Sequence, residues 1–140
     1  MASGLSVYYA NKVLDKLLRG TDFTPPASMW VALFMASGSS TYLRADDVAS
    51  ATEMVGDTYA RVKIMSGTSI SFNVAAAGHS DNNADIAFPA AGAGWGTAYA
   101  IATMDAASSG HVVMWADIVP IVISAPDVVT ISAAYFDVNL

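Results

Sequence analysis

The chain has no cysteine, so disulfide staples and thiol chemistry are excluded, although that absence does not fix the compartment. Charge is scarce too. Of 140 residues 13% are Asp, Glu, Lys or Arg against 54% hydrophobic, a balance that gives a globular rather than a disordered chain and leaves apolar surface for another subunit to cover. Cations are missing from the second half. All six Lys and Arg stand at or before Lys63, where six acids offset them, whereas Asp81, Asp85, Asp105, Asp117, Asp127 and Asp137 follow alone and carry the net charge of −6. Such a field repels nucleic acid and no basic stripe compensates, so no nucleic-acid partner is expected. The first residues lack the basic region and continuous apolar core of a secretory signal, which points to synthesis in the cytoplasm. Ile86 to Met104 is free of charge for nineteen residues, long enough in principle to cross a bilayer. It holds Pro89, three glycines and many alanines, however, and reads as a pair of strands; no membrane partner is expected.

What is present organises around Asn82 to Ala106. Ile86 and Phe88 alternate with small residues until Pro89 removes a ladder donor, then Gly92, Gly94 and Gly96 turn a corner around Trp95. A strand leaves the corner with Tyr99, Ile101 and Thr103 on one side and Ala98, Ala100 and Ala102 on the other. Before this stretch, Ser6 to Arg19 places Ala10, Val13, Leu14 and Leu17 on one helical face, with Ser3 or Ser6 as cap, Lys16 and Arg19 in the last turn and Gly20 as the stop. The expected position of this helix is flat on a sheet. Met29 to Met35 is apolar on both faces, as a central strand should be. The connection 36–58 is long and polar, with a short helix expected from Leu43 to Ala51, and is the segment in which to look for a neighbour. Ala60, Val62 and Ile64 face inward with Tyr59, Arg61 and Lys63 outward; Ile70, Phe72 and Val74 repeat the pattern. Val112, Met114, Ala116 and Ile118 share a face opposite Val113 and Trp115, and the inward parity of the last strand changes between Ile131 and Phe136, suggesting a bulge near Ala133 and Ala134. Seven or eight short strands and one N-terminal helix predict a mainly β chain: an antiparallel β-sandwich or jelly-roll-like barrel, in a single domain over 1–140.

The search for chemistry finds little. Asp81, Asn83 and Asp85 stand at the first three ligand positions of a calcium loop, but Ile86 occupies the glycine position and Gly92 that of the bidentate glutamate. An EF-hand is excluded, which leaves turn-forming side chains, with an irregular calcium site as the alternative. The corner glycines are followed by Thr97 and by no Lys or Arg, so they are not a phosphate loop. His79 and His111 have no acid or third ligand close in sequence and read as turn or surface residues. With no nucleophile elbow and no cofactor motif, neither enzymatic activity nor a cofactor or metal is expected. Trp30, Trp95 and Trp115 with Tyr8, Tyr42 and Tyr99 could line a sugar-binding face, although core or subunit-contact roles suit such aromatics better. The contact candidates are Trp95, Trp115, Tyr99, Trp30, Tyr42 and Arg44.

The central motif NNADIAFPAAGAGWGTAYAIATMDA resembles small virion proteins of tailed bacteriophages, as do the N-terminal YYANKVLDKLLRGTDFTPPASMWVALF and the middle GDTYARVKI. The resemblance covers most of the chain and departs at Ser37 to Glu53 and in the C-terminal strands. It implies a structural protein of the virion, made in the host cytoplasm. The first expectation is a capsid decoration or cement protein on the capsid surface, partnered by the major capsid protein and by copies of itself, a trimer being expected. The alternative is a tail or tail-fibre component, with host-surface or glycan binding as its possible work.

Overall fold

Val31, Ala32, Leu33 and Phe34 are all buried, yet successive side chains of a strand point to opposite faces; this strand can only lie inside a sheet covered on both sides. The computed structural model, which describes residues 2–139, shows that arrangement; Met1 and Leu140 lie outside the described residues. In chain order the elements are β1 (Ser3–Leu5), α1 (Val7–Arg19), β2 (Ser28–Phe34), α2 (Ser39–Arg44), α3 (Val48–Ala51), β3 (Val62–Ser66), β4 (Ser69–Ile70), β5 (His79–Asp81), β6 (Ile86–Ala87), β7 (Gly96–Met104), β8 (Val112–Ile123), β9 (Thr130–Ile131) and β10 (Asp137–Asn139). Six strands form the main sheet in the order β1-β8-β7-β2-β3-β4, while β10 pairs with β5 and β6 with β9. Every pairing among these strands is antiparallel. The main sheet stays open, ending at β1 and β4, so of the two expected architectures the sandwich-like one is found and the closed barrel is not.

The two faces of the main sheet carry separate cores. On the first, Val31, Leu33, Ile64, Ala98 and Ile101 pack with Met54 of the long connection and with Ile86, Phe88, Trp95 and Phe136 of the corner and the segments of the smaller sheets. On the second, Ala32, Phe34, Ala100, Ala102, Met104, Val112 and Trp115 pack with Leu43 and Ala51. Those last two residues lie on α2 and α3, inside the long connection. The expected single short helix at 43–51 is thus two helices, and they cap a sheet face.

Several expectations need correction. β6 and β7 are not partners: β6 joins β9, and β7 lies between β2 and β8. Their corner switches the chain from one layer to the other. Ala98 does not share a face with Ala100, because the β7–β8 register shifts between them; a second shift at Thr103/Met104 brings Val112 and Trp115 into the same core. Of the 70–74 segment only Phe72 packs inward, against Phe136, while Ile70 and Val74 are exposed. The last strand holds no bulge but a turn at 132–135, with Ala134 at φ 65°, between β9 and β10 in different sheets.

The most consequential correction concerns α1. Ser6 caps it, accepting from the Tyr9 N–H at 3.2 Å, and Gly20 closes it in the left-handed region at φ 66°. The helix exists where the periodicity puts it, but its apolar face does not lie on the sheet. Tyr9 is its one buried residue, and Leu14, Leu17 and Leu18 are 51%, 74% and 79% exposed. The sheet face that α1 would have covered is already taken by α2 and α3.

Candidate contact surface

The first turn of α1 is fastened to the start of β8 by a polar network. Ser6 donates its N–H to the Val113 carbonyl at 3.0 Å, and its buried hydroxyl donates to the Val112 carbonyl. The Tyr9 hydroxyl donates to Asp105 Oδ2 at 2.8 Å, while Asp105 Oδ1 accepts from the His111 N–H at 2.7 Å. Across from them Asp46, in the break between α2 and α3, accepts from the Val112 N–H at 2.7 Å and meets His111 Nδ1 at 2.5 Å. Tyr8 lies flat on the His111 ring, centroids 3.8 Å apart. Burial, and then the hydrogen bond to Asp105, push the Tyr9 hydroxyl far above its ordinary value. His111 therefore does have an acid beside it, one that arrives from 65 positions away, and His79 likewise meets Asp137 at 2.7 Å across the β5–β10 pair.

Beyond this anchor α1 presents Val7, Leu14, Leu17 and Leu18 to solvent. Ala10 is half-buried and lies between Val7 and Leu14 on the same side. Round the helix from Tyr9, Leu17 lies at about 80°, Leu14 at about 140°, Val7 at about 160° and Leu18 at about 180°, so the stripe is centred away from the anchor, with Leu17 nearest to it. The cations of α1 avoid the stripe and are partnered: Lys16 with Asp22 at 3.2 Å, Arg19 with Asp15 at 3.6 Å, and Lys12 over the Tyr8 ring at 4.8 Å. What α1 offers is therefore apolar and uncharged. A second set of exposed apolar residues lies at the far end of β8, with Ile121 and Val122 beside Val128, and Val119 earlier on the strand.

The six contact candidates do not gather into this surface or any other. Trp95 is 2% exposed, edge-on to Tyr59 at 5.4 Å. A Cβ at Gly56 would collide with its indole. Trp115 is buried in the second core and donates from Nε1 to the Leu5 carbonyl at 3.3 Å. Trp30 is half-buried under Lys63, and Tyr99 is half-buried on β7. Tyr42 and Arg44 are exposed on α2. With Trp95 and Trp115 both inside, no aromatic platform for a sugar forms around them. Arg61 also departs from its expected outward place. Its side chain is 4% exposed and forked on Glu53, with Nε–Oε1 2.7 Å and Nη2–Oε2 2.6 Å, and it donates to the carbonyls of Ala106 and Ser109.

Nor do the acids of the calcium-like run converge. Asp81 accepts from Asn73 Nδ2 and Asp85 from the Ala133 N–H, while Asn82 between them is fully buried, bonding Ala84, Ser132 and Phe136. Among the described residues no group of three or more His, Cys, Asp and Glu side chains is placed to hold a metal ion, and no helix is long and apolar enough to cross a membrane. A shallow cavity of about 300 Å³ carries Asp117 and Asp137 on its wall, but Asp117 accepts from the Ala2 N–H and Asp137 is paired with His79.

Residues 4–139 match the family described as podophage GP4 fiber I protein gp80. The chain belongs to that family. The match covers α1, all of β10 and the main sheet but for Ser3 of β1, and it makes the chain a phage virion protein of fibre type. No curated protein matches the chain significantly. Tyr9, Asp46, Asp105 and Asn82, to which the sequence reading gave no structural role, hold this family member's anchor and layers together. Three of them stand in the motifs quoted above, but those motifs do not show which distant groups they meet.

Proposed function

We propose that this chain is a non-catalytic fibre component of the phage tail, working through protein–protein contact within the virion. One observation carries the reading: a well-capped helix keeps a continuous apolar stripe in solvent, a cost that a chain with so much interior-forming sequence would avoid unless the stripe met another protein. Membership of a fibre family supports the tail over the shell. The acidic second half suits contact with protein rather than with nucleic acid. Burial of Trp95 and Trp115 removes the aromatic platform on which direct glycan recognition would have rested.

Capsid decoration, with the major capsid protein as partner, predicts a different abundance. Quantitative mass spectrometry of purified virions gives the copy number relative to the major capsid protein. A few to a few tens of copies are expected; hundreds would return the chain to the shell as a decoration protein.

A further inference from the structure

We infer that the cleft between the two layers, at the β1 edge of the main sheet, is a docking site for an arginine side chain presented by a partner protein; this rests on the protein-contact reading above and deepens it. The cleft is a cavity of about 300 Å³. Ile101 and Ile118 of the main sheet form its floor, and Ile131 and Phe136 of the other layer its far wall. Asp117 on β8 brings a carboxylate to it, and Tyr135, 82% exposed, a phenol ring. The backbone that carries this ring is fixed. In the turn 132–135 the Ala133 N–H donates to Asp85 Oδ1 at 2.9 Å and the Ala134 N–H to the Asn82 carbonyl at 2.8 Å, while the Ser132 carbonyl accepts from Asn82 Nδ2 at 2.9 Å. Asn82 is fully buried and also holds the Phe136 N–H at 2.8 Å. Docking therefore need not order a loose loop, a cost that weakens many contacts.

The electrostatics select the occupant. Asp117 Oδ2 accepts from the Ala2 N–H at 3.2 Å, yet Asp117 is in none of the ion pairs among the described residues. Its own chain has no cation to send. No Lys or Arg follows Lys63; Lys12 and Lys63 lie over aromatic rings, and Lys16, Arg19 and Arg61 meet acids elsewhere. Arg44 stands on α2, which covers the opposite face of the sheet. Asp137, set against His79, lines the same cleft. A positive group from outside thus meets a carboxylate, an exposed ring and an apolar floor together. Arginine suits that set better than lysine, because a flat, weakly hydrated guanidinium can fork on a carboxylate while it stacks on a phenol ring. Its methylene stem has Ile101 and Ile118 to lie along. A neutral sugar would satisfy hydrogen bonds and leave the charge of Asp117 unmatched. The size agrees, since about 300 Å³ is the lower end of the range for small-ligand sites and admits one side chain.

The test uses the whole chain and a probe whose only charge is the guanidinium, N-acetyl-arginine amide, beside its neutral citrulline counterpart of nearly equal shape. In methyl NMR spectra the arginine probe should give saturable shifts at Ile101, Ile118 and Ile131, and should bind about tenfold or more tightly than the citrulline probe, the weight of one hydrogen bond to a charged group. Asp117→Asn keeps an acceptor for the Ala2 N–H and should abolish that preference; Tyr135→Ala should weaken arginine binding. Asp127→Asn lowers the acidic charge equally but lies outside the cleft, and should leave binding unchanged. Equal binding of the two probes, equal losses in Asp117→Asn and Asp127→Asn, or no methyl shifts at all would overturn the inference, and so would shifts produced by galactose but not by arginine, which would give the cleft to sugars. Copy number per virion does not depend on this cleft, so a failed titration leaves the fibre reading intact, and a shell-like abundance leaves the arginine site intact.

Discussion

At the scale of single residues, Trp95 is where the corner, the first core and the long connection meet. Its indole rests on Gly56 and edge-on against Tyr59, and the Tyr59 hydroxyl in turn accepts the Leu33 N–H at 3.0 Å and donates to Glu53. Trp95→Ala should cost about 3–5 kcal/mol, since so large a site cannot collapse around a methyl group; chemical denaturation measures it, and an unchanged midpoint would show the indole to be dispensable. The tyrosines provide a pH reading, Tyr59 of the same core and Tyr9 of the α1 anchor. Burial pushes the hydroxyls of Tyr9 and Tyr59 far above the ordinary value of 10.0, helped in Tyr9 by the bond to Asp105 and in Tyr59 by the charge of Glu53. Folding therefore favours their neutral forms. This contribution is complete below about pH 10, where the unfolded chain is neutral at both sites too, and is lost as pH rises through the folded-state values. An absorbance titration should show a late phenolate step that coincides with loss of the dichroism signal; Tyr9→Phe and Tyr59→Phe should each shrink that step. A late step that precedes unfolding would mean that these hydroxyls are reached by solvent in the folded protein.

At the scale of elements, α1 is held by few contacts, which makes its stability separable from that of the sheet. Ser6→Ala removes both the cap on the Tyr9 N–H and the bond to the Val112 carbonyl. The expected cost is about 0.5–2 kcal/mol, confined to α1: its amides should exchange faster while those of β2 and β7 keep their rates. Uniform acceleration would instead make Ser6 part of the global core. The same helix shows what the sequence could and could not say. Its limits were legible because caps and periodicity are local, and β2 was legible because only a strand covered twice is apolar on both faces. The direction in which α1 turns its stripe was not legible, since periodicity tells which residues share a side and not what covers it; that depended on α2 and α3 occupying the sheet first. The parities of β7 and β8 failed for a related reason, because two register shifts leave no mark in an alternating pattern. The anchor was hidden by distance: Tyr9 and Asp105 are 96 positions apart, and Arg61, which looked like an outward cation on a strand, is drawn inside by Glu53 and two carbonyls.

At the scale of the whole molecule, apolar content and charge pull association in opposite directions. Each copy carries a net charge of −6, and all of it can be assigned to residues after Lys63, since the first half balances six cations with six acids. Copies that met through apolar surface would bring these acidic bodies near one another and repel, while such a contact would contain no ion pair to be weakened. Salt then acts on one term only. Raising ionic strength from about 0.1 M to about 1 M shortens the screening length from roughly 10 Å to roughly 3 Å, which relieves repulsion between the bodies and leaves the apolar contact at least as strong. Self-association should therefore tighten with salt, the reverse of what an interface built from Lys12, Lys16 and Arg19 against the acids of a neighbour would do. Sedimentation equilibrium of the native chain at low and high salt measures the change. Association that weakens as salt is added would assign the interface to opposite charges.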